Sequence, residues 1–511
     1  TTLEHRPGAP VACLATTFEF EADFFEEELL PRFLGLRFDR TEAERTFILE
    51  REEALASARA AVLVDISKFD PRQTTLQWDQ LPIHVPGGIQ HAKVTLLVWE
   101  RLARLMVASA NLTRQGYRRN RELFAALDFF DAADSAPLSI LREALDFLDT
   151  LCAWSRALPA ATQRTRETLE QVRQRLRQWS GAPRDFGPRE RPRVAFIAGH
   201  PRSATAPARS VLDRLLKLWG QRRVIWLTIM TPFVSVQANG EDPVLARLRQ
   251  LPKARDMEGW LVVPEVPTAD GSKRPTVALP KTFGTAWEDW LGQGAYLLPV
   301  PQSVEDEGVR PLHAKAVLIQ GDDHDFLVIG SSNFTPHGMG VGAFNCEANL
   351  AFEDWADAKR GGLTLEDRLG LPVPWDSAVS VDDVVWQQPE NPPDDAPLAT
   401  PQLPAFFAWA SYSQRTGEIQ LGLDRSQPEP QEWTISLPAP SGEQAIVLFS
   451  RAASSPQDAT LRFTFAERAR GAPLTALRVM WQEPDGSEHE GFLAVSVEDR
   501  EKDLLPPDEF R

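Results

Sequence analysis

Short apolar runs alternate with amphipathic segments along the first part of the chain. An apolar run bounded by turn residues predicts a buried strand, and apolar residues with a 3.6-residue period predict a helix. Strands are predicted at 11–18, 61–66, 91–99, 105–109 and 123–129, and helices at 21–33, at 43–60 and twice within 137–179. This alternation predicts an α/β layered lobe.

A segment rich in Gly, Pro and Arg at 180–193 has the composition of a linker and precedes a second lobe of the same kind. Strand and helix patterns resume after it. The predicted strands lie at 194–198, 224–231, 260–263, 296–300 and 313–319. We therefore expect two α/β lobes, at residues 1–180 and 181–370.

The pattern changes after residue 370. Residues 387–404 are rich in Pro and Asp, so we expect a linker at 371–404. Six short alternating runs follow, EIQLGLD, EWTISLP, AIVLFS, TLRFTF, ALRVMW and GFLAVSV. They predict a small antiparallel β-domain at 405–511, with a sandwich as its expected form. Nothing in it resembles a catalytic motif, and we expect it to pack on the lobes or to bind a protein partner.

Composition and charge restrict the classes of function. Hydrophobic residues make up 43% and charged residues 25%, as in a globular protein, and no run approaches the length of a membrane span. The first ten residues lack a signal-peptide pattern, so we expect a cytoplasmic protein without membrane contact. A net charge of −17 argues against nonspecific coating of nucleic acid, although a local basic groove stays open. Cys13, Cys152 and Cys346 lack disulfide or zinc-site spacing, and we expect neither metal nor cofactor.

An internal repeat carries the candidate chemistry. The tripeptide His91-Ala92-Lys93 recurs as His313-Ala314-Lys315, and an Asn follows each His after 20 residues. The flanking residues match as well. The two copies are Ser109-x-Asn111-x-Thr113-x-x-Gly116 with Asn120-x-Glu122, and Ser331-x-Asn333-x-Thr335-x-x-Gly338 with Asn345-x-Glu347. One H-x-K is noise, but two copies with the same downstream residues indicate a duplicated half-site.

The spacing explains how each copy could gather its polar groups. Residues i and i+2 of a strand project from one face, so His and Lys of H-x-K point together. A hairpin folded midway between His and Asn returns the Asn beside them. Two such half-sites facing each other would suit one phosphate, with two Lys and two Asn as donors to its oxygens.

The two histidines suit a two-step displacement at phosphorus. One imidazole could attack phosphorus to give a phosphohistidine, and the other could protonate the leaving oxygen and then activate water. The residues alone do not separate these roles. Glu122 and Glu347 are placed to orient an imidazole, in their own lobe or in the opposite one. Ser109 and Ser331 could donate to the phosphate or simply fit beneath the pocket. Tyr117 and Arg118 could contact a nucleic-acid strand or simply cover the lobe.

These residues closely resemble the phospholipase D superfamily, whose members carry two H-x-K motifs followed by G/S-x-N and an acidic residue. Phospholipases of that superfamily usually have an Asp five residues after the Lys, where this chain has Val98 and Gln320. In that respect, and in its His-to-Asn interval, the chain is similar to the tyrosyl-DNA phosphodiesterase branch. It differs from that branch at Glu122, where the branch typically has an amide.

The resemblance implies two phospholipase D-like α-β-α lobes that share one active site. It implies His91 as the nucleophile and His313 as the general acid and base, with Lys93, Lys315, Asn111 and Asn333 on the phosphate. We expect a metal-independent phosphodiesterase acting on nucleic acid, as a nuclease or a DNA-end-processing enzyme. A lipid phosphodiesterase and a non-catalytic phosphate-binding module are the alternatives. One chain holds both motifs, so the site needs no dimer and the oligomeric state stays open.

Overall fold

The computed structural model describes most of the chain. The described residues are 7–37, 40–70, 77–157, 159–185, 193–203, 206–234, 242–266, 274–301, 303–304, 308–355, 377–387, 403–404, 406–413, 415–437, 446–451, 459–464, 476–482 and 486–497.

A six-stranded sheet forms the first lobe, in the order β3-β2-β1-β4-β5-β6. Strands β1, β2 and β3 are parallel, whereas β4, β5 and β6 form antiparallel hairpins beside β1. The strands are β1 Pro10–Thr17, β2 Arg59–Asp65, β3 Asp79–Ile83, β4 Val94–Trp99, β5 Ala103–Ala108 and β6 Phe124–Phe129. The helices of this half are α1 Ala22–Phe24, α2 Leu30–Leu34, α3 Arg40–Ser57, α4 Leu138–Cys152 and α5 Pro159–Gln178.

The second sheet repeats this topology. Its central order β11-β9-β8-β14-β15-β16 has the same strand directions, and β7 extends it beyond β16. These strands are β7 Arg193–Gly199, β8 Val224–Met230, β9 Lys253–Val266, β11 Ala295–Val300, β14 Ala316–Gln320, β15 His324–Gly330 and β16 Glu347–Trp355. Short peripheral strands are β10 Thr276–Val277, β12 Ser303–Val304, β13 Gly308–Val309, β17 Val379–Ser380 and β18 Val385–Trp386. The helices are α6 Val211–Trp219, α7 Pro243–Leu248, α8 Lys281–Leu291 and α9 Pro336–Met339.

The inner faces of the two sheets share one hydrophobic core, which explains the near-continuous apolar runs of the central strands. Leu96 and Leu105 of the first sheet belong to the same buried cluster as Leu318 and Leu327 of the second. Helices α4 and α5 complete this central core, while α1–α3 and α6–α8 cover the outer faces in separate cores. The layers therefore run helix, sheet, sheet, helix, and the two similar lobes pack sheet against sheet.

The C-terminal part folds as a seven-stranded sheet in the order β22-β21-β24-β25-β19-β20-β23. The six predicted runs form β20 Glu418–Leu423, β21 Trp433–Leu437, β22 Ile446–Arg451, β23 Thr460–Thr464, β24 Ala476–Gln482 and β25 Glu488–Val497, and β19 Phe407–Ser413 joins them. The sheet is not wholly antiparallel, because β19 and β25 run parallel. It is continuous, and the rings of Phe449 and Phe463 on its two edge strands lie 6.5 Å apart.

Strands β17 and β18 lie within the predicted linker and pair with strands of the second sheet. Most of that linker, and the first six residues, lie outside the described residues. Among the helices that the structure describes, none is long and apolar enough to span a bilayer.

Candidate active site

Each H-x-K tripeptide lies just before a strand, in a segment that pairs with the opposite lobe. The prediction that the tripeptides begin β4 and β14 is wrong by a few residues, since these strands start at Val94 and Ala316. The backbone N–H of His91 donates to the carbonyl of Cys346 at 3.0 Å, and that of His313 donates to the carbonyl of Arg121 at 3.0 Å. Each histidine is thus held by a backbone hydrogen bond to the residue just before the glutamate of the other lobe.

The predicted hairpins are present and return the Ser-x-Asn segments to the histidines. Strands β4 and β5 pair in one lobe and β14 and β15 in the other. At the end of β5, the N–H of Ala108 donates to the carbonyl of Lys93 at 3.0 Å. Asn111 and Asn333 follow these strands directly and are both buried. Each lobe therefore brings its imidazole, ammonium and amide groups to one end of its sheet.

Each glutamate binds the histidine of the opposite lobe, which answers the question that the sequence left open. His91 Nδ1 lies 2.9 Å from Glu347 Oε1, and His313 Nδ1 lies 2.7 Å from Glu122 Oε1. With Nδ1 committed to a carboxylate, Nε2 is the ring nitrogen of each histidine that can reach a substrate. The pairs differ in exposure, because the His91 side chain is 1% exposed and that of His313 is 12% exposed.

The serines of the repeat bind these glutamates. Ser109 Oγ donates to Glu122 at 2.5 Å, and Ser331 Oγ donates to Glu347 in the same way. Their hydroxyls also accept backbone N–H groups, from Leu123 at 2.9 Å and from Ala348 at 3.0 Å. Of the two roles considered for the serines, the structure favours support beneath the pocket over donation to phosphate.

Sequence reasoning did not assign a role to the Asn of the repeated Asn-x-Glu, although the repeat itself was the signal. Asn120 Nδ2 donates to Glu122 Oε1 at 3.1 Å. In the other copy, Asn345 forms a side-chain hydrogen bond with Glu347 and accepts the N–H of Ile89 at 3.1 Å. Both residues hold a glutamate in place, and Asn345 also ties the two lobes together.

Both lysines are buried and donate back to the carbonyl of their own histidine. Lys93 Nζ lies 2.7 Å from the His91 carbonyl, and Lys315 Nζ lies 2.6 Å from the His313 carbonyl. An ammonium group has three protons, so this bond leaves capacity for anionic oxygens. Two buried ammonium groups make the site suited to an anion.

The repeated Thr-x-x-Gly forms a turn that fits against each Asn. Gly116 N donates to Thr113 Oγ1 at 3.0 Å, and Gly338 N donates to Thr335 Oγ1 at 3.1 Å. A Cβ on Gly116 would lie 2.5 Å from the Asn111 carbonyl oxygen, and one on Gly338 would lie 2.6 Å from the corresponding atom of the other asparagine. The turn can approach the Asn backbone this closely only with glycine.

The two Asn side chains have different surroundings. Asn111 Oδ1 accepts the N–H of Glu19 at 3.3 Å. Both amide atoms of Asn333 are buried and lack a hydrogen-bond partner among the residues that the structure describes. A buried amide without partners loses free energy, and a bound phosphate would supply the missing acceptor.

The pKa values of the two glutamates are shifted in opposite directions. Burial disfavours the carboxylate of Glu122, but the charge and hydrogen bond of His313, with Lys315, outweigh it and lower its pKa to about 2. For Glu347 burial prevails over Lys93, Ser331 and Lys315 and raises its pKa to about 7. Burial and then Lys315 lower the pKa of His313, against the opposing effect of Glu122. The partly open pair, His313 with Glu122, thus has an ionised carboxylate at neutral pH. In the closed pair, His91 with Glu347, the glutamate retains its carboxyl proton part of the time.

A polar scaffold surrounds the first H-x-K, and the residues described around the second show no equivalent. The buried carboxylate of Asp65, at the end of β2, accepts the N–H of Gln90 at 2.7 Å. Thr16 Oγ1 donates to the Ala92 carbonyl at 2.7 Å and accepts the N–H of Val94 at 2.9 Å. These bonds fix the backbone on both sides of the first histidine.

The contacts of Tyr117 and Arg118 in the structure lie within their own lobe. The Tyr117 ring packs between Phe24 and Phe124, with centroids 5.3 and 5.2 Å away, and burial raises its pKa. Arg118 is exposed but forms an ion pair with Glu28 at 2.5 Å. For both residues, contact with a substrate strand stays a prediction. Among the described residues, no cluster of His, Cys, Asp and Glu has the arrangement of a metal site.

No family model matches the chain, and no curated protein matches it. Similar solved structures include yeast tyrosyl-DNA phosphodiesterase, with a TM-score of 0.41 and 11% identity over 67% of this chain and 84% of that one. Another is polyphosphate kinase from Porphyromonas gingivalis, with a TM-score of 0.33 and 11% identity over 67% of this chain and 40% of that one. The chain resembles the phospholipase D superfamily. That resemblance rests on the duplicated motif and its convergence in one site, and the activities named in the two matches stay with those proteins.

Proposed function

We propose that the chain is a phosphodiesterase that cleaves nucleic acid through a phosphohistidine intermediate, without needing a metal. The observation that carries the proposal is the binding of each glutamate to the histidine of the opposite lobe. It orients two imidazoles through Nδ1 and leaves the Nε2 atoms for substrate. Two ammonium groups and two amides from the same repeats would neutralise and bind the non-bridging oxygens.

The chemistry balances with these residues alone. Nε2 of one histidine attacks phosphorus while the P–O bond to the leaving group breaks, and the leaving oxygen takes a proton from Nε2 of the other histidine. That second histidine, now neutral, removes a proton from water as the water oxygen attacks phosphorus. The P–N bond then breaks, which releases the phosphate product and restores the first histidine. By the resemblance, His91 is the nucleophile and His313 the proton carrier. The greater exposure of His313 suits the residue that must meet both leaving group and water.

The proposed substrate class is supported by an Asp that is missing from both copies of the motif. Val98 and Gln320 stand where phospholipases of the superfamily usually have Asp. Both lie near the far ends of β4 and β14, away from the histidines. Both copies of the motif thus lack the Asp that is usual in the lipid-cleaving members of the superfamily. This favours nucleic acid over phospholipid as the substrate.

Turnover of a substrate panel in EDTA tests the proposal. The panel comprises labelled single- and double-stranded DNA, RNA, bis(4-nitrophenyl) phosphate and phosphatidylcholine vesicles. We expect nucleic-acid cleavage that survives chelation and is lost in His91→Ala and in His313→Ala. His489→Ala, on β25 of the C-terminal sheet, is the matched control and should retain activity. Acid-labile, alkali-stable phosphate on the protein would identify the intermediate.

Each alternative has its own outcome in this panel. Choline release without nucleic-acid cleavage would show a lipid phosphodiesterase. Binding of nucleic acid with no product and no phosphohistidine would show a non-catalytic module. Activity that needs a divalent metal, or that ignores both histidines, would refute the mechanism.

A further inference from the structure

An arginine with no acidic partner among the described residues lies next to the partly open His313–Glu122 pair. Arg121 directly precedes Glu122, and its N–H donates to the Pro311 carbonyl at 2.8 Å while its carbonyl accepts the N–H of His313. Only its backbone makes these bonds. Its guanidinium group forms neither an ion pair nor a hydrogen bond with any described residue.

A second such arginine lies next to the closed pair. Gly199 pairs with Glu347 across the sheet, and a Cβ on Gly199 would lie 3.6 Å from the Glu347 Cβ and 3.7 Å from the Arg209 carbonyl oxygen. Arg209 exchanges backbone hydrogen bonds with His200 at 3.0 and 2.9 Å. Its exposed guanidinium makes no ion pair or hydrogen bond within the described part of the chain. The charge of Arg209 favours the ionised form of Glu143, but Glu143 is ion-paired with Arg214, at 3.8 Å.

Two further arginines, both exposed, are close to these in the sequence, Arg119 before Asn120 and Arg202 after His200. Neither has an ion-pair partner among the residues described. The chain has 72 acidic against 55 basic residues, so unneutralised cations beside the site are unexpected from composition. By contrast, the far turn of the β14–β15 hairpin carries the acidic pair Asp322 and Asp323.

We propose that four arginines, Arg121 and Arg209 with Arg119 and Arg202 beyond them, form an arginine track. The track binds the phosphates on either side of the scissile one, so that the substrate is a strand crossing the site. The inference rests on the proposed function and makes it more specific. A phosphodiester with a single phosphate would need only the buried lysines and asparagines. Unpaired guanidinium groups on both sides fit a polyanion, which they can bind in bidentate fashion. Cleavage would then occur inside a strand rather than only at an end.

The salt dependence of turnover tests this arrangement. Each phosphate contact to a single strand contributes about −0.7 to the slope of log affinity against log salt. Between 50 and 200 mM salt, one contact therefore accounts for about a 2.6-fold loss, and two for about a 7-fold loss. We would measure kcat/KM for an oligothymidylate and for bis(4-nitrophenyl) phosphate over this range, in wild type, Arg121→Ala, Arg209→Ala and the double variant.

The expected result is a lower ratio of strand to ester kcat/KM, with a slope shallower by about 0.7 for each arginine removed. Alanine retains the backbone bonds of both positions, so the half-sites should still assemble. Arg59→Ala is the matched control, since Arg59 is exposed and unpaired among the described residues but starts β2, at the end of the sheet away from the histidines.

Other outcomes separate this inference from the proposed function. If wild type cleaves strands but the double variant keeps the wild-type ratio and slope, the track is refuted and the proposed function stands. If wild type turns over the ester but no strand, the nucleic-acid function fails, and the track fails with it. An equal loss of slope in Arg59→Ala would also refute the track, because the effect would then reflect overall charge.

Discussion

The two glutamates that bind the histidines should respond in opposite ways to the same substitution. Glu122→Gln and Glu347→Gln each replace a carboxylate by an amide of the same shape, hydrogen-bonded to a histidine and a serine. The surroundings differ, because the pKa of Glu122 is lowered from 4.5 to about 2 while that of Glu347 is raised from 4.5 to about 7. Their effects on stability must therefore differ in sign.

The magnitudes follow from the pKa values. For Glu122 the lowered pKa corresponds to about 3 kcal/mol of stabilisation, which is complete above pH 4.5 and lost as the pH falls towards 2. For Glu347 the raised pKa corresponds to about 3 kcal/mol of destabilisation, which develops as the pH rises from 4.5 through 7. We expect Glu122→Gln to be less stable than wild type by about 3 kcal/mol at both pH 5 and pH 8. Glu347→Gln should be more stable by up to about 3 kcal/mol at pH 8 and by less than about 1 kcal/mol at pH 5.

Urea unfolding followed by tryptophan fluorescence at the two pH values measures these differences. The C-terminal sheet has its own core and could unfold separately, in which case the transition of the two paired sheets is the one compared. Equal destabilisation by both substitutions at pH 8 would refute the reasoning. It would mean that both carboxylates are ionised and equally well compensated.

Three further predictions concern residues around the site. Gly116→Ala should destabilise the protein by about 1–3 kcal/mol and lower ester turnover, because its Cβ would lie 2.5 Å from the Asn111 carbonyl oxygen, as thermal unfolding and kinetics can check. Tyr117→Phe should leave oligonucleotide kcat/KM within about twofold of wild type, since the ring packs in the lobe, and about a tenfold loss would show that its hydroxyl binds substrate. Asp65→Asn should lower kcat at least about tenfold with little change in KM, because it weakens the bond that fixes the backbone before His91. Rapid-quench measurement of phosphohistidine should place that loss in the first step.

Local periodicity predicted much of the fold, because it records which face of each element is buried. The apolar runs of both lobes and all six C-terminal runs form strands. Strand β3 was missed since Pro82 interrupts a short run. The parallel pairing of β19 with β25 joins segments far apart in the sequence, and no local pattern specifies such a contact.

The site residues were predictable for a different reason. A duplicated motif shows which residues act together, but not across which interface. The sequence could not show that Glu122 serves His313, because that depends on how the two sheets pack. Tyr117 illustrates the converse, since its position beside the motif suggested contact with substrate, and the sequence did not show that its ring packs against Phe24 and Phe124.

Because each glutamate binds the histidine of the opposite lobe, the site forms only when the two sheets pack together. Glu347 is fully buried, and a carboxylate buried without its partner costs several kcal/mol. Its partner His91 belongs to the other lobe, and the backbone bonds from His91 to Cys346 and from His313 to Arg121 form only when the sheets meet. A lobe alone would leave its glutamate and its histidine uncompensated. The same contacts that bury the central core therefore orient both imidazoles, so the site is complete only when the fold is.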